Sequence, residues 1–507
     1  MEYMYKLETV LPSVRDLVTA LFICVTFFGV LHVVYTRYFS PCAPFPGPFL
    51  ASTTTLWKVA SLVSGEGEKR LMALHKKYGP IVRIAPNELS VSEASAIKII
   101  YKTFPKLFKA PFARRPGHME NTDIKQAAQR RRIVGDTYSM SKVLSLESSV
   151  DLCLQQFQER FSQFAGTGTV VNLKLWSHLF TFDVIGQLIF SQSFGFLERG
   201  GDQGHIMQAI ETAIHIAMTM VNFPWYLHPL VTVYVLMIPR IAARLVAIPK
   251  PIGALETRVD RAIRGLCHDA QAKPIGPERR DFLTRWFGIY AEKGAELDFG
   301  LAEIKQEVWT ALFAGSDTTS IALAATVYHL LKHPACYSRV IDEIDSADGQ
   351  GLLSRPCIRY EEGYALQYLR ACIKEATRLH PSGSITFPRR VPKQGCMVAG
   401  QFIPEGTEIG CNPYVVHRDR KVFGDDADRY NPDRWLGPKA AEMERHSLLF
   451  GYGPRICIGR NIALCQLYKF IPQLLRDFRL ELDDPQGGWS YTLYKTDKLE
   501  VRVSKRY

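Results

Sequence analysis

One ten-residue stretch constrains this chain more than any other: Phe450-Gly451-Tyr452-Gly453-Pro454-Arg455-Ile456-Cys457-Ile458-Gly459, a single cysteine among glycines. Glycines at 451, 453 and 459 permit positive-φ turns and close backbone approach, so the loop can turn N–H groups towards the Cys457 sulfur. From Gly459 to Phe470 the sequence reads as a helix, whose N-terminus would favour an ionised sulfur. Arg455 adds a positive charge suited to a carboxylate. A thiolate held this way is a metal ligand, although a lone cysteine is more often a buried structural thiol.

A second stretch supplies matching chemistry. The segment from Leu301 to Leu331 is helical in period and stops before His333-Pro334. At 3.6 residues per turn Ala311, Ala314, Gly315 and Thr318 share one face with almost no bulk, so something flat or large can pack there. Small residues alone equally permit close helix packing. Asp317 beside Thr318 adds an acid next to a hydroxyl, a suitable proton relay.

The strings F-G-x-G-P-R-x-C-I-G and A-G-S-D-T-T resemble the haem-binding and oxygen-activation motifs of the cytochrome P-450 family, and the resemblance extends over roughly residues 40 to 500. It implies a cytochrome P-450 fold, mainly α with small β-sheets. It also implies a haem whose iron is held by the Cys457 thiolate, which pushes electron density towards O–O cleavage. Asp317 and Thr318 become the catalytic pair, and Ala314, Gly315, Phe450 and Arg455 become haem neighbours. In Asp123 to Arg132, Arg131 falls at a propionate-binding position, although the aromatic partner expected four residues earlier is Ala127. Arg389 and His417 match positions near the propionates. Glu375, Arg378 and Arg434, in E-x-x-R and P-D-R-W strings, match a Glu-Arg-Arg network that locks the core behind the haem loop.

Outside these motifs, short β-favouring runs at Ile81–Ile84 and Glu88–Val91, split by Pro86-Asn87, read as a hairpin. Strands return only near Met397–Ile403 and Thr407–Cys411, and most of the intervening chain is helical in period. The 507 residues contain no G-x-G-x-x-G after a strand, so flavin and dinucleotide must sit elsewhere. Electrons are therefore expected from NADPH through a membrane-bound NADPH-cytochrome P-450 reductase, docking on the basic face behind Cys457. A net charge of +12 fits such a face or an anionic lipid surface. Without zinc spacing or long Lys/Arg blocks, no nucleic acid is expected. Eleven cysteines without CxxC pairs argue against a disulfide framework and fit a reduced, cytosol-facing domain, with all but Cys457 read as small core residues.

Leu17 to Tyr35 runs without formal charge, long enough to span a bilayer core of ~30 Å and longer than the apolar region of a cleaved signal peptide. The expected division is a lumenal segment at 1–16, a transmembrane signal anchor at 17–36, a stiff proline-rich connector at 37–50 and a haem-thiolate catalytic domain at 51–507. Basic residues flank the anchor on both sides and do not set its orientation. The family resemblance places it in the endoplasmic reticulum membrane with a cytosolic catalytic domain. From Ile206 to Ile241 the only charged residues are Glu211 and Arg240. Pro224, Pro229 and Pro239 break this stretch, leaving a buried helix pair or a surface that dips into the bilayer interface.

Taken together the motifs imply a monooxygenase that inserts one atom of O2 into an apolar small molecule. Pro472, inside the helix after Cys457, is similar to fungal microsomal members of the pisatin demethylase-like group, which suggests a terpenoid or polyketide intermediate. Expected pocket walls are 112–121, the surroundings of Phe223, Phe313, 384–387 and 491–494. A haem-thiolate isomerase or dehydratase commonly lacks the acid-alcohol pair, and a non-enzymatic haem sensor would not need it.

Overall fold

The structure, a computed structural model, describes residues 14–103, 123–222, 249–272, 280–486, 491–492 and 495–506. Three of the expected pocket walls, 112–121, Phe223 and 493–494, lie outside these residues, as do the N-terminal segment before Val14 and the stretch 223–241. Of Tyr491 and Thr492 only the strand backbone is described.

The apolar N-terminal run forms helix α1 (Val14–Val34), continued by one wider turn at Tyr35–Phe39. The candidate membrane-spanning segment, Thr19–Phe39, has a mean hydropathy of 1.9 and is almost wholly uncovered by protein. Leu21, Phe22, Phe27 and Phe28 point outwards, as expected of a helix whose solvent is lipid. The anchor does not swing freely. His32 Nε2 lies 3.0 Å from Thr53 O, and the buried Arg83 guanidinium donates from Nη2 to Thr36 O (2.8 Å) and Ser40 Oγ (3.0 Å).

The proline-rich stretch departs from the expected extended connector. Residues 40–45 form tight turns closed by Ala43 N–H to Ser40 O and Phe45 N–H to Cys42 O, and Cys42 and Phe45 are buried in a core cluster with Ile81, Leu89 and Ile409. Proline stiffness here serves packing, because apolar side chains between the prolines find the β-sheet surface. The other cysteines also divide differently from expectation: Cys24 is exposed on α1, and Cys336 and Cys396 are only half-buried.

The β-elements are small. Strands β1 (Ile81–Ala85) and β2 (Glu88–Val91) form the expected antiparallel hairpin. Val170–Asn172 is β3, Arg389–Arg390 β4, Cys396–Val398 β5, Gln401–Ile403 β6 and Glu408–Cys411 β7. One sheet has the order β1-β2-β7-β4, and β5 with β6 makes a separate hairpin. Near the C-terminus follow β8 (Phe478–Leu482), β9 (Tyr491–Thr492), β10 (Lys495–Thr496) and β11 (Glu500–Lys505); β11 pairs with β3 and β8. Helices carry most of the chain. Those that shape the site are α2 (Ile124–Gly135), α3 (Glu147–Thr167), α4 (Leu173–Phe190), α5 (Ile206–Asn222), α6 (Leu301–Lys332), α7 (Gln367–Leu379) and α8 (Arg460–Asp477). The main core lies between α3, α4, α6 and α8, around Phe157, Phe180, Phe470 and Leu323.

On α7, Glu375 is fully buried and accepts five hydrogen bonds. Oε2 accepts from Arg378 Nε (2.8 Å) and Trp435 Nε1 (2.9 Å), and Oε1 from Arg378 Nη2 (2.8 Å), Asn431 N (2.9 Å) and Arg434 Nε (3.0 Å). Arg378 donates onward to His417 O (2.6 Å) and Ala427 O (2.7 Å). Such pairing offsets the desolvation of buried charge and ties α7 to the segment leading to the cysteine loop. His417 takes a place in this frame and is not a carboxylate contact. It is fully buried, with Nδ1 3.1 Å from Arg378 O and Nε2 2.8 Å from Leu448 N. Leu448 can only donate, so Nε2 is the acceptor and Nδ1 carries the proton.

Burial lowers the pKa of His417 to about 3 and of His178 and His380 to about 4, and pushes His329 in the same direction. Unfolded histidine titrates near about 6.5, so the unfolded chain binds protons more tightly than the folded one. The stability from these groups is complete above that value and is lost as pH falls towards the folded pKa values. The thermal midpoint should therefore be level between about pH 7 and 8 and fall steadily from about pH 6.5 to 5. A midpoint unchanged across the lower interval would contradict neutral burial of these rings.

Candidate active site

The cysteine loop is built by short-range backbone requirements. Gly451 and Gly453 have φ of 73° and 68°. A Cβ on Gly453 would lie 2.5 Å from Tyr101 O, so glycine is needed there for both conformation and space. Gly459 differs from expectation. Its φ is −79°, and a Cβ there would stand in ordinary contact with Cys457 Sγ, at 3.9 Å, so neither conformation nor space requires glycine at this position. Cys457 N–H donates to Phe450 O (2.7 Å) and closes the loop, which assigns Phe450 a backbone role. Helix α8 starts at Arg460, with Pro472 inside it.

Cys457 has an exposed surface, yet enough protein surrounds the sulfur for desolvation to raise its pKa. Both hold for a group on the floor of a recess. The N–H groups of Gly459 and Arg460 and the charges of Arg131 and Arg460 pull the other way. The expected preference for the thiolate is thus present but outweighed by burial, and a bound metal cation would reverse the balance, since a coordinating thiol is deprotonated outright.

Three guanidinium groups converge here. Arg131 of α2 lies within electrostatic reach of both Cys457 and Arg455, and Arg455 of Arg389. Desolvation lowers the pKa of all three, and mutual repulsion adds to it for Arg389 and Arg455. Arg389 lies on β4, 4.7 Å over the Tyr101 ring. The neighbours of Arg131 face away: Arg130 pairs with Asp298 and Glu303 and Arg132 is exposed. Ala127, where an aromatic residue was expected, is buried against protein.

Helix α6 packs on both α8 and α4. Between Glu303 and Lys332 its one exposed residue is Thr318. Thr318 Oγ1 donates to Ala314 O (2.8 Å), Ser382 Oγ donates to Thr318 O (2.7 Å) and Thr181 Oγ1 donates to Ser316 O (2.8 Å). With Ser320 Oγ donating to Asp317 O (2.8 Å), four hydroxyls bond carbonyls of residues 314 to 318, competing with the helix's own ladder at its centre. Ala314 stays on the Thr318 side, half-buried. Gly315 does not follow the expected low-bulk face, because a Cβ there would meet Ile185 Cδ1 of α4 at 2.8 Å. Its missing side chain makes room for a neighbouring helix.

Asp317 is buried, with Oδ1 3.9 Å from His178 Nε2 of α4. Across the same ring, His178 Nδ1 is 3.5 Å from Glu211 Oε1 of α5, and Lys174 Nζ is 3.4 Å from that oxygen. Sequence reasoning missed His178 and Lys174. Their signal was a basic residue and a histidine four positions apart, on one face of the mainly apolar α4, and Glu211 stood out as the one acid in a charge-poor stretch.

A thiol on the floor of a recess, Arg131 within electrostatic reach of it, Arg455 and Arg389 following in a row of guanidinium groups, and an exposed hydroxyl on a buried helix fit a flat, iron-bearing group with two carboxylates. Sulfur suits the iron, and guanidinium groups suit the carboxylates. Known proteins point to the same group. The family model described as Cytochrome P450 matches residues 44–491. The cytochrome P450 monooxygenase gsfF of Penicillium aethiopicum is 34% identical over 510 residues, covering 95% of this chain and 97% of its own. The cytochrome P450 monooxygenase cicH of Emericella nidulans is 35% identical over 92% of this chain and 94% of its own. Pisatin demethylase of Fusarium vanettenii is 31% identical over 92% and 90%. With a family match over most of its length and full-length monooxygenase relatives, this chain belongs to the cytochrome P450 family and is a monooxygenase of the oxidoreductase class.

Proposed function

We propose that the chain inserts one oxygen atom from O2 into an apolar small molecule of fungal secondary metabolism, a terpenoid or polyketide intermediate. Electrons come from NADPH through an NADPH-cytochrome P450 reductase. The carrying observation is Cys457 within electrostatic reach of Arg131, from which Arg455 and Arg389 follow in a row. Cys457 would hold haem iron, and the three arginines would hold its propionates. Bound haem supplies the iron chemistry that activates oxygen. The chain's part is to bind, orient and deliver protons: Ala314 and Thr318 offer a low-bulk face with one hydroxyl, and Asp317 is the acid behind it. The exposed apolar surface of α1 supports a single-pass anchor at 17–36, and membership of the family supports an endoplasmic reticulum location with a lumenal 1–16 and a cytosolic catalytic domain. Its fastening through His32 and Arg83 supports a fixed angle between anchor and domain, with 37–50 as the junction to the catalytic domain at 51–507.

Replacing Thr318 by alanine removes the one exposed hydroxyl of α6. The Thr318→Ala variant should keep haem and still consume NADPH with purified reductase, while the share of electrons recovered as hydrogen peroxide rises severalfold as proton delivery is impaired. An unchanged peroxide share would remove Thr318 from proton delivery.

A further inference from the structure

The three acid-base groups that meet at the back of α6 come from three helices: His178 from α4, Glu211 from α5 and Asp317 from α6. Such a cluster can hold a divalent cation or pass a proton. One nitrogen of His178 and one oxygen from each acid lie within 4.8 Å of one another, and the nearest approaches use different nitrogens: Nδ1 to Glu211 at 3.5 Å and Nε2 to Asp317 at 3.9 Å. An imidazole that offers a different nitrogen to each acid suits proton transfer, which needs one nitrogen to accept and the other to donate. Both separations exceed a hydrogen bond by less than about 1 Å, which a small rotation or one bridging water closes.

Glu211 is the most accessible member of this row. The Glu211 side chain is 27% exposed, that of Asp317 10% and that of His178 3%. Asp317 has its own backbone adjacent to Thr318, the exposed hydroxyl on the other side of α6. The geometry points to His178 as a relay that carries protons from Glu211, at the solvent end, to Asp317. This rests on the reading of Asp317 and Thr318 as the proton-delivering pair, and it adds the supply route behind them.

The step balances as a proton shift. A proton from solvent binds Glu211 and passes to His178 Nδ1 as the Nε2 proton passes to the Asp317 carboxylate. The imidazole ends in its other tautomer and resets by ring rotation. Burial raises the Glu211 carboxyl, opposed by Lys174, and lowers His178 to about 4, opposed by Asp317 and reinforced by Lys174, so the ring is neutral at physiological pH and free to accept at one nitrogen while donating from the other.

The test uses full-length, haem-loaded protein with purified reductase, NADPH and O2 alone, in H2O and in D2O. His178→Phe and Glu211→Gln should each raise the peroxide share of oxygen reduction severalfold, towards the level of Asp317→Asn, and should enlarge the solvent isotope effect. A peroxide share that rises in Asp317→Asn but stays at the wild-type level in both other variants overturns the relay and leaves the Asp317 reading intact. A wild-type share in Asp317→Asn overturns both. A readout independent of turnover is the pH-difference infrared spectrum of the ferric protein. The carboxyl band lost in Glu211→Gln should titrate at a shifted midpoint in His178→Phe, and an unmoved midpoint overturns the coupling. If His178→Phe does not retain haem, Glu211→Gln carries the test from a half-exposed position.

Discussion

Cys457→Ser is expected to reduce NADPH-driven oxygen consumption to background and to leave the purified protein largely without haem. A serine hydroxyl stays protonated near neutral pH and is a poor iron ligand, whereas a thiol is driven to thiolate by the metal itself. Nothing else in the loop changes: the bond from residue 457 N–H to Phe450 O uses backbone atoms only, and the substituted side chain sits on an open surface. Thermal stability of the haem-free protein should therefore match that of haem-free wild type. The arginines near residue 457 can still attract a carboxylate-bearing group, so weak haem association without oxygen reduction is compatible with this outcome. Oxygen consumption retained at the wild-type rate would refute Cys457 as the ligand.

Glu375→Ala should be the most damaging substitution away from the site. It removes the acceptor of five hydrogen bonds and leaves Arg378 and Arg434 buried beside each other without their shared carboxylate; the Arg434 side chain keeps Asp426 (3.0 Å) and Arg378 keeps only carbonyl partners. Breaking a buried ion pair on one side costs about 3–5 kcal/mol, a large share of the roughly 5–15 kcal/mol by which a native domain is stable. Yield of haem-bearing protein should collapse and the thermal midpoint of any survivor should fall by several degrees. The surviving fraction should keep the spectrum of wild type, because Glu375 supports the loop and does not touch the sulfur. An unchanged midpoint would show that the network is dispensable.

Features determined by a few adjacent residues were legible in the sequence. The β1–β2 hairpin follows from Pro86-Asn87, the helix after Cys457 from its start at the loop, and the Glu375–Arg378 pair from i, i+3 spacing. What escaped depends on contacts between distant segments. Gly315 looked like part of an open face, but its absent side chain accommodates Ile185, over a hundred residues earlier. His417 matched a carboxylate-binding position, yet both of its nitrogens are committed to backbone atoms of Arg378 and Leu448. The prolines around Cys42 looked like a spacer because composition does not reveal that Cys42 and Phe45 pack on β-strands. Gly459 resembled its neighbours in type but not in conformation. His178 was invisible as chemistry because only the packing of α4, α5 and α6 puts it between two acids. The substrate escaped because the residues expected to wall the pocket, such as Phe313 and 384–387, have side chains that specify an apolar environment and not a molecule.

The most direct test of the account is the difference spectrum of the reduced, full-length protein with carbon monoxide. The account predicts the band characteristic of haem bound by a cysteine thiolate. A band typical of a neutral or nitrogen axial ligand in freshly purified protein would contradict it.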